Sequence, residues 1–138
     1  MRVDLNWEEG LTFTGSSESG FSLTTSNDRD DEGKRPGFGP MELMAFSIGA
    51  CAGMDVISIL KKKRQDIRGI EIQVHSQQAE THPRVWTELK VEYLFTGRNI
   101  EPKAVEQAIN LSKDKYCPAQ NMIKEAVEIE YSYQIVEG

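Results

Sequence analysis

Residues 40–64 constrain the fold most, because this segment is apolar nearly all round over about its first five helical turns. Pro40 suits the first turn of a helix, and Glu42 places negative charge at the positive end of the helix dipole. The basic run Lys61–Arg64 supplies cations at the opposite end, as a solvated, dipole-matched terminus. We therefore predict a helix from Pro40 to Arg64 that is buried on most sides.

The same segment is long enough to cross a membrane. Residues 41–60 reach the length of a span, but Glu42 and Asp55 lie within them and would each cost roughly 2 to 3 kcal/mol in lipid. A buried helix of a soluble protein is therefore favoured, and we expect no membrane partner. The first seven residues lack the apolar core and cleavage site of a secretory signal, so we predict a cytoplasmic protein with reduced thiols.

Length and charge limit the organisation and the partners of the chain. A chain of 138 residues with 38% apolar residues can build one modest core, so we predict a single domain over 1–138. The 16 basic and 22 acidic residues leave a net charge of −6 and no basic surface. We therefore expect no nucleic-acid partner.

Alternating apolar residues predict the strands. A meander of short strands covers residues 3–23, a long polar loop follows from Thr24 to Gly39, and two longer strands at 70–74 and 85–95 form a hairpin. Two short helices begin near Glu101 and at Cys117–Pro118, and a closing strand covers 129–135. This order contains no repeating βαβ unit, which predicts an α+β fold.

The chain has only two cysteines, and each occurs in a setting that suits chemistry. Cys51 is centred in the small-residue run Gly49–Gly53, where each helical glycine costs about 1 kcal/mol relative to alanine. Close approach of another group to the helix backbone must offset that cost. The run either packs tightly against another helix or leaves room for a substrate or a second thiol at Cys51, and the two explanations are compatible.

Cys117 precedes Pro118 and has the pattern of a helix N-cap. A thiolate at such a position is stabilised by unpaired backbone N–H groups and by the helix dipole. The alternative is a buried apolar cysteine at a helix junction. No CxxC motif is present, so spacing alone does not distinguish a redox pair from two structural cysteines.

Other kinds of site have weak support in the sequence. His75 and His82 lack the spacing of a metal motif, so we predict a strand-face residue, a turn residue and no metal site. No nucleotide-binding or serine-hydrolase motif is present, and we predict no cofactor.

Several segments together resemble the OsmC/Ohr family, and in particular its YhfA-like branch. They cover nearly the whole chain: residues 39–51, 54–60, 80–87, 96–98 and 111–117. The resemblance implies an intertwined homodimer of OsmC-like domains, with curved antiparallel sheets around long buried central helices and active sites at the interface. It also implies that a cysteine pair reduces organic hydroperoxides in a response to oxidative or osmotic stress.

The family pattern assigns roles by position. Cys51 takes the place of the peroxidatic thiol and Cys117 that of the resolving thiol, with a dithiol reductant regenerating both. In the hydroperoxidase branches a glutamate that follows the helix-starting proline pairs with an activating arginine. Here Glu42 comes one residue later, as a supporting residue, and Arg29 and Arg35 in the preceding loop are the candidate arginines.

Two hypotheses for function follow. The first is a peroxidase whose apolar pocket, with lining residues such as Met44, Ile48 and Met122, favours small apolar hydroperoxides. The second is a non-catalytic redox-sensing or ligand-binding dimer, in which the same cavity holds a small apolar ligand.

Overall fold

The computed structural model describes all 138 residues, which divide into two compact units, 1–44 and 45–138. Whether they act as one domain stays a prediction. The strands are β1 (Val3–Glu9), β2 (Thr12–Ser17), β3 (Ser22–Ser26), β4 (Asp66–Gln78), β5 (Trp86–Arg98) and β6 (Ile129–Glu137). The helices are α1 (Pro40–Lys62), α2 (Pro102–Leu111) and α3 (Pro118–Ile123), with a π-helical turn at Ser112–Tyr116 between the last two.

The first unit contains the predicted meander. β1, β2 and β3 pair in sequence order, both pairs antiparallel. All seven residues of β1 are exposed, including Trp7 at 64%. A sheet of three short strands with large exposed apolar side chains gains little from its own packing, which leaves an apolar surface for other contacts.

The loop after β3 leads into α1, and a short bridge pairs Thr25 with Phe38. At the start of α1 the Gly39 N–H donates a hydrogen bond of 3.3 Å to the Glu42 carboxylate. Glu42 thus turns back to satisfy a backbone donor at the helix entrance, in the manner of a capping box. The predicted first residue of α1 is confirmed, and the helix ends two residues before the predicted Arg64.

The second unit holds a mixed sheet in the order β4-β5-β6. β4 and β5 form the predicted antiparallel hairpin, with Ile72 opposite Tyr93. β6 runs parallel to β5, whereas the resemblance implied antiparallel sheets throughout. The physical reason is the connection: α2, the π-helical turn and α3 form the long crossover that a parallel pair requires. The α+β class with two sheets and packed helices is confirmed.

Within the second unit, α1 buries one face. Its buried residues recur at helical spacing: Ile48, Gly49, Ala52, Val56 and Leu60. A Cβ added to Gly49 would lie 3.0 Å from Val74, and one added to Gly53 would lie 2.7 Å from Ile72, so both glycines permit close packing of α1 against β4. The small-residue run does pack closely, but its neighbour is the strand β4 and not the predicted helix, because the hairpin lies across this face of α1.

The rest of α1 is open in the single chain. Phe46 is 64% exposed and Met54 is 70% exposed, so burial on most sides does not hold for one chain alone. The length and apolar composition of α1 would be sufficient to cross a membrane. The core helices of soluble proteins can have the same length and composition. Large exposed apolar side chains along one helix mark a contact surface.

Candidate redox site

The fold brings the two cysteines together. Cys51 lies in the middle of α1 and Cys117 directly before α3, yet their Sγ atoms are 2.8 Å apart and both are free thiols. A disulfide bond is about 2.05 Å long, so the sulfurs could bond after a movement of less than about 1 Å. Proximity of the pair is the feature that the sequence left open.

The two thiols differ in access. Cys117 is completely buried, whereas Cys51 is half-buried. A molecule from solution can therefore reach Cys51 but can meet Cys117 only after the chain rearranges.

Cys117 is held by the start of α3. It is the N-cap residue, and its sulfur accepts a hydrogen bond of 3.4 Å from the Gln120 N–H. The Cys117 N–H in turn donates to the Ser112 carbonyl at 2.8 Å, across the π-helical turn. The N-cap prediction is confirmed, and the turn adds a constraint that the sequence did not reveal; such π-helical insertions are frequent at functional sites.

Asp55 is the functional candidate that the sequence analysis missed. It was considered only as a charge within a possible membrane span, yet it follows Cys51 by one helical turn and so shares its face of α1. One ligand atom each from Cys51, Asp55 and Cys117 lies within 4.8 Å of the others. The spacing of four residues between Cys51 and Asp55 is the sequence signal that indicates this proximity.

A buried chain of hydrogen bonds supports Asp55. The Ser112 hydroxyl donates to the Asp55 carboxylate at 3.1 Å, and the Gln120 amide donates to the Ser112 hydroxyl at 3.1 Å. The Tyr131 hydroxyl donates a short hydrogen bond to the Gln120 side-chain oxygen. Ser112 and Gln120 are fully buried, so this network fixes the orientation of the Asp55 carboxylate.

The electrostatics of the site favour the protonated Cys51 thiol. Burial is the largest cause, and together with the hydrogen bond shared with Cys117 it raises the pKa of Cys51 to about 11. The Ala119 N–H acts in the opposite direction, while the charges of Cys117 and Asp55 raise the pKa further. A single chain therefore holds about one Cys51 in ten thousand as the thiolate at neutral pH.

Two tyrosines share this environment. Burial, followed by neighbouring negative charge that includes Cys117, raises the pKa of Tyr93 and of Tyr131, so both hydroxyls stay protonated at neutral pH. The Tyr93 hydroxyl is buried without a hydrogen-bond partner.

The other predicted site residues lie in the first unit. Glu42 caps the start of α1, as described above. Arg29 is exposed and donates to the Gly33 carbonyl at 2.8 Å. Arg35 packs its guanidinium against Gly39 so closely that a Cβ there would clash, and its Nε is buried without a partner. Arg35 therefore retains a free hydrogen-bond donor.

The predicted apolar lining is only partly enclosed. Ile48 is 1% exposed, whereas Met44 and Met122 are 40% and 70% exposed. A groove of about 430 Å³ lies between α1 and β4, with Gly49, Gly53 and Ile72 among its lining residues. Its walls are largely apolar.

The two histidines lie in the predicted positions, one on a strand and one in a turn. His75 is a strand residue that contacts Glu92 at 2.9 Å, and His82 lies in the turn before β5. Hydrogen bonds from Lys90 and His75 lower the pKa of Glu92.

Comparison with known proteins places this site in a family. Residues 30–132 match the OsmC-like protein family. Protein YhfA of Escherichia coli K12 is 38% identical over 136 residues, which cover 99% of this chain and 98% of YhfA. A crystal structure of a hypothetical protein from Aquifex aeolicus is 34% identical, covers 99% of this chain and 96% of its own, and superposes with a TM-score of 0.88.

A more distant structure shares the fold. The organic hydroperoxide resistance protein OhrB of Bacillus subtilis is 16% identical and superposes with a TM-score of 0.63, over 97% of this chain and 98% of its own. The family match covers three quarters of the sequence, and the YhfA match covers almost all of it. The chain therefore belongs to the OsmC-like protein family.

Proposed function

We propose that the protein is a thiol-dependent peroxidase that reduces organic hydroperoxides through Cys51 and Cys117. The observation that carries the proposal is the 2.8 Å separation of the two sulfurs. A structural neighbour named as an organic hydroperoxide resistance protein supports the substrate class. A cysteine pair poised to bond is the arrangement that a two-cysteine peroxidase needs.

The exposure of the thiols supports their roles. The half-buried Cys51 is the nucleophile that a substrate can reach, and the buried Cys117 is the resolving thiol. The Cys51 thiolate attacks the terminal peroxide oxygen, the O–O bond breaks, and the alcohol leaves with a proton. The product is a sulfenic acid on Cys51.

The second step uses Cys117. Its sulfur attacks the Cys51 sulfur, the S–O bond breaks, a disulfide forms, and the hydroxyl leaves as water with the Cys117 proton. An external dithiol then reduces the disulfide by exchange. One hydroperoxide and one dithiol become an alcohol, water and an oxidised dithiol in each turnover.

The raised pKa of Cys51 requires a group that takes its proton. Asp55 supports this role because its carboxylate lies beside both sulfurs and is oriented by Ser112. The family pattern adds an arginine, and Arg35 is favoured over Arg29 because its Nε has no partner. Glu42 is the supporting acid in that pattern.

A homodimer and an apolar substrate complete the proposal. The exposed apolar residues of α1 and β1, such as Phe46, Met54 and Trp7, are suited to burial against a second copy. Burial of these side chains would enclose Cys51, which α1 carries, in a largely apolar cavity at the interface. Such a cavity would favour a fatty or aromatic hydroperoxide over hydrogen peroxide. We place this dimer in the cytoplasm, where thiol reductants are available.

A stoichiometric reaction tests the proposal. The reduced protein is mixed with one equivalent of cumene hydroperoxide, and free thiols and intact mass are followed over time. We expect loss of both thiols and a mass decrease of two hydrogens. Cys51→Ser should abolish the reaction, whereas Cys117→Ser should stop at a sulfenic acid that a sulfenic-acid-specific probe captures. Unchanged thiols in the wild-type protein would contradict the proposal.

One observation favours a second function. The pKa of about 11 disfavours the Cys51 thiolate, which is opposite to the need of a fast peroxidase. A redox-sensing or ligand-binding dimer requires no rapid turnover. Steady-state reduction of hydroperoxide with an excess of dithiol separates a peroxidase from a sensor, because a sensor is oxidised by peroxide but turns over slowly. A ligand-binding protein should bind apolar molecules equally well after Cys51→Ser.

A further inference from the structure

Two thiol sulfurs and one carboxylate oxygen converge at the junction of α1 and α3. The ligand atoms of Cys51, Asp55 and Cys117 lie within 4.8 Å of one another, although Cys117 follows Cys51 by 66 residues in the chain. We propose that these residues form a binding site for Zn²⁺ with three protein ligands and one open position. The site requires reduced thiols but does not depend on peroxidase activity.

The distances suit a tetrahedral ion after a small adjustment. Zinc binds thiolate sulfur at about 2.3 Å and carboxylate oxygen at about 2.0 to 2.2 Å, which places two sulfur ligands about 3.8 Å apart. The Cys51 and Cys117 sulfurs, now 2.8 Å apart, must therefore separate by about 1 Å. Rotation of the half-buried Cys51 side chain provides that movement, because α1 carries it beside a small-residue run.

Surrounding groups orient the ligands. Ser112 donates to the Asp55 carboxylate, and the buried Gln120 amide holds the Ser112 hydroxyl. The Gln120 N–H also donates to the Cys117 sulfur at 3.4 Å. Metal sites rely on such contacts to fix carboxylate orientation and to stabilise thiolate charge.

The Asp55 carboxylate forms no direct ion pair, because the six ion pairs of the structure join other residues. Two thiolates and one carboxylate carry three negative charges, which attract a divalent cation. Soft sulfur ligands select Zn²⁺ over Mg²⁺ or Ca²⁺, which prefer oxygen ligands only.

Zinc binding and disulfide formation exclude each other, because each uses both sulfurs. When Zn²⁺ binds, two S–H bonds break, two zinc–sulfur bonds form and two protons leave to solvent. Oxidation to the disulfide would release the ion. The same residues therefore provide a site whose occupancy reports the redox state of the protein, and bound zinc protects both thiols from peroxide.

Cobalt substitution tests the site without peroxide. The reduced, metal-free protein is titrated with Co²⁺ under nitrogen in the presence of a phosphine reductant. We expect one Co²⁺ per chain, a thiolate-to-cobalt charge-transfer band, tetrahedral ligand-field bands, and loss of all bands when Zn²⁺ is added. Asp55→Asn should weaken binding about tenfold or more, whereas Asp31→Asn at an exposed position should leave it unchanged.

A rescue variant separates ligation from a structural role of Asp55. Asp55→Cys supplies a third thiolate, so the charge-transfer intensity per bound ion should rise by about half. Absence of a charge-transfer band in the reduced wild-type protein would overturn the proposal, as would a band that Cys51→Ser and Cys117→Ser leave unchanged. Because the readout contains no hydroperoxide, a failed peroxidase assay does not alter this result.

Discussion

The Cys117 sulfur lies 2.8 Å from the Cys51 sulfur, although 66 residues separate them in the chain. One thiol is carried by the long helix α1, and the other is fixed by the π-helical turn and the first residues of α3. This contact places two reactive groups, one accessible and one buried, beside the Asp55 carboxylate. The ionisation of this pair, the hydrogen bonds that hold it and the surfaces around it can each be measured.

The reactivity of Cys51 should depend steeply on pH. Because its pKa is raised to about 11, the thiolate fraction and the alkylation rate should rise about tenfold per pH unit between about pH 7 and pH 10. The measurement is iodoacetamide labelling of the wild-type protein, with the modified Cys51 quantified by peptide mass spectrometry. A rate that levels off near neutral pH would show instead that another group stabilises the thiolate.

The same shift links pH to stability. The folded protein favours the neutral Cys51 thiol, whose pKa lies above its ordinary value of 9.0. The contribution to stability is therefore complete below about pH 9 and is lost as the pH rises towards about 11. Urea unfolding of wild type and Cys51→Ser across this range should show a smaller decline in the variant.

Gln120 should be essential to the buried network. Gln120→Met leaves the Tyr131 hydroxyl without its acceptor and removes one of the two partners of the Ser112 hydroxyl, so we expect a loss of about 1 to 3 kcal/mol in the free energy of unfolding. Thr87→Val, at an exposed strand position, is the control. Equal effects of the two substitutions in urea unfolding would show that the network contributes little.

The two glycines of α1 should differ in their tolerance of a methyl group. Gly49→Ala brings a Cβ to 3.0 Å from the stiff Val74 side chain, and we expect it to lower stability by about 1 kcal/mol. Gly53→Ala meets the flexible end of Ile72, which can rotate away. Its smaller effect should be offset by the higher helix propensity of alanine. Thermal unfolding measures both variants. Equal stabilisation of the two would contradict close packing at Gly49.

The exposed apolar face of α1 should bind a second copy. Met54→Glu places a charge at a 70% exposed apolar position, so the dimer should dissociate at concentrations at least about tenfold higher than the wild-type dimer does. Asn110→Glu adds the same charge on α2 and should not affect assembly. Sedimentation velocity measures both variants. A wild-type protein that sediments as a monomer at all concentrations would refute the dimer.

The two loop arginines should have unequal effects on Cys51. Arg35→Met should slow peroxide-driven oxidation of Cys51 at least about tenfold, because the proposed function assigns the activating cation to Arg35, whose buried Nε has no hydrogen-bond partner. Arg29→Met should have little effect, since this side chain already binds the Gly33 carbonyl. Stopped-flow measurement of thiol oxidation distinguishes them, and a larger effect of Arg29→Met would reverse the assignment.

Local sequence signals were sufficient for the elements and the family. Pro40 and the basic run after Leu60 marked the ends of α1 to within two residues, and alternating apolar residues located the β4–β5 hairpin. These signals are local, because helix ends, strand alternation and N-caps depend on neighbouring residues. The family motifs in turn identified both cysteines.

Long-range packing decided what the thiols can do. The parallel pairing of β6, the meeting of Cys51 with Cys117, and the position of Asp55 beside both depend on how distant segments fold together. The π-helical turn has no distinct sequence signature, because its residues also suit an ordinary helix. Burial raises the pKa of Cys51, and sequence alone does not reveal this, since desolvation depends on the atoms packed around a thiol and not on its neighbours in sequence.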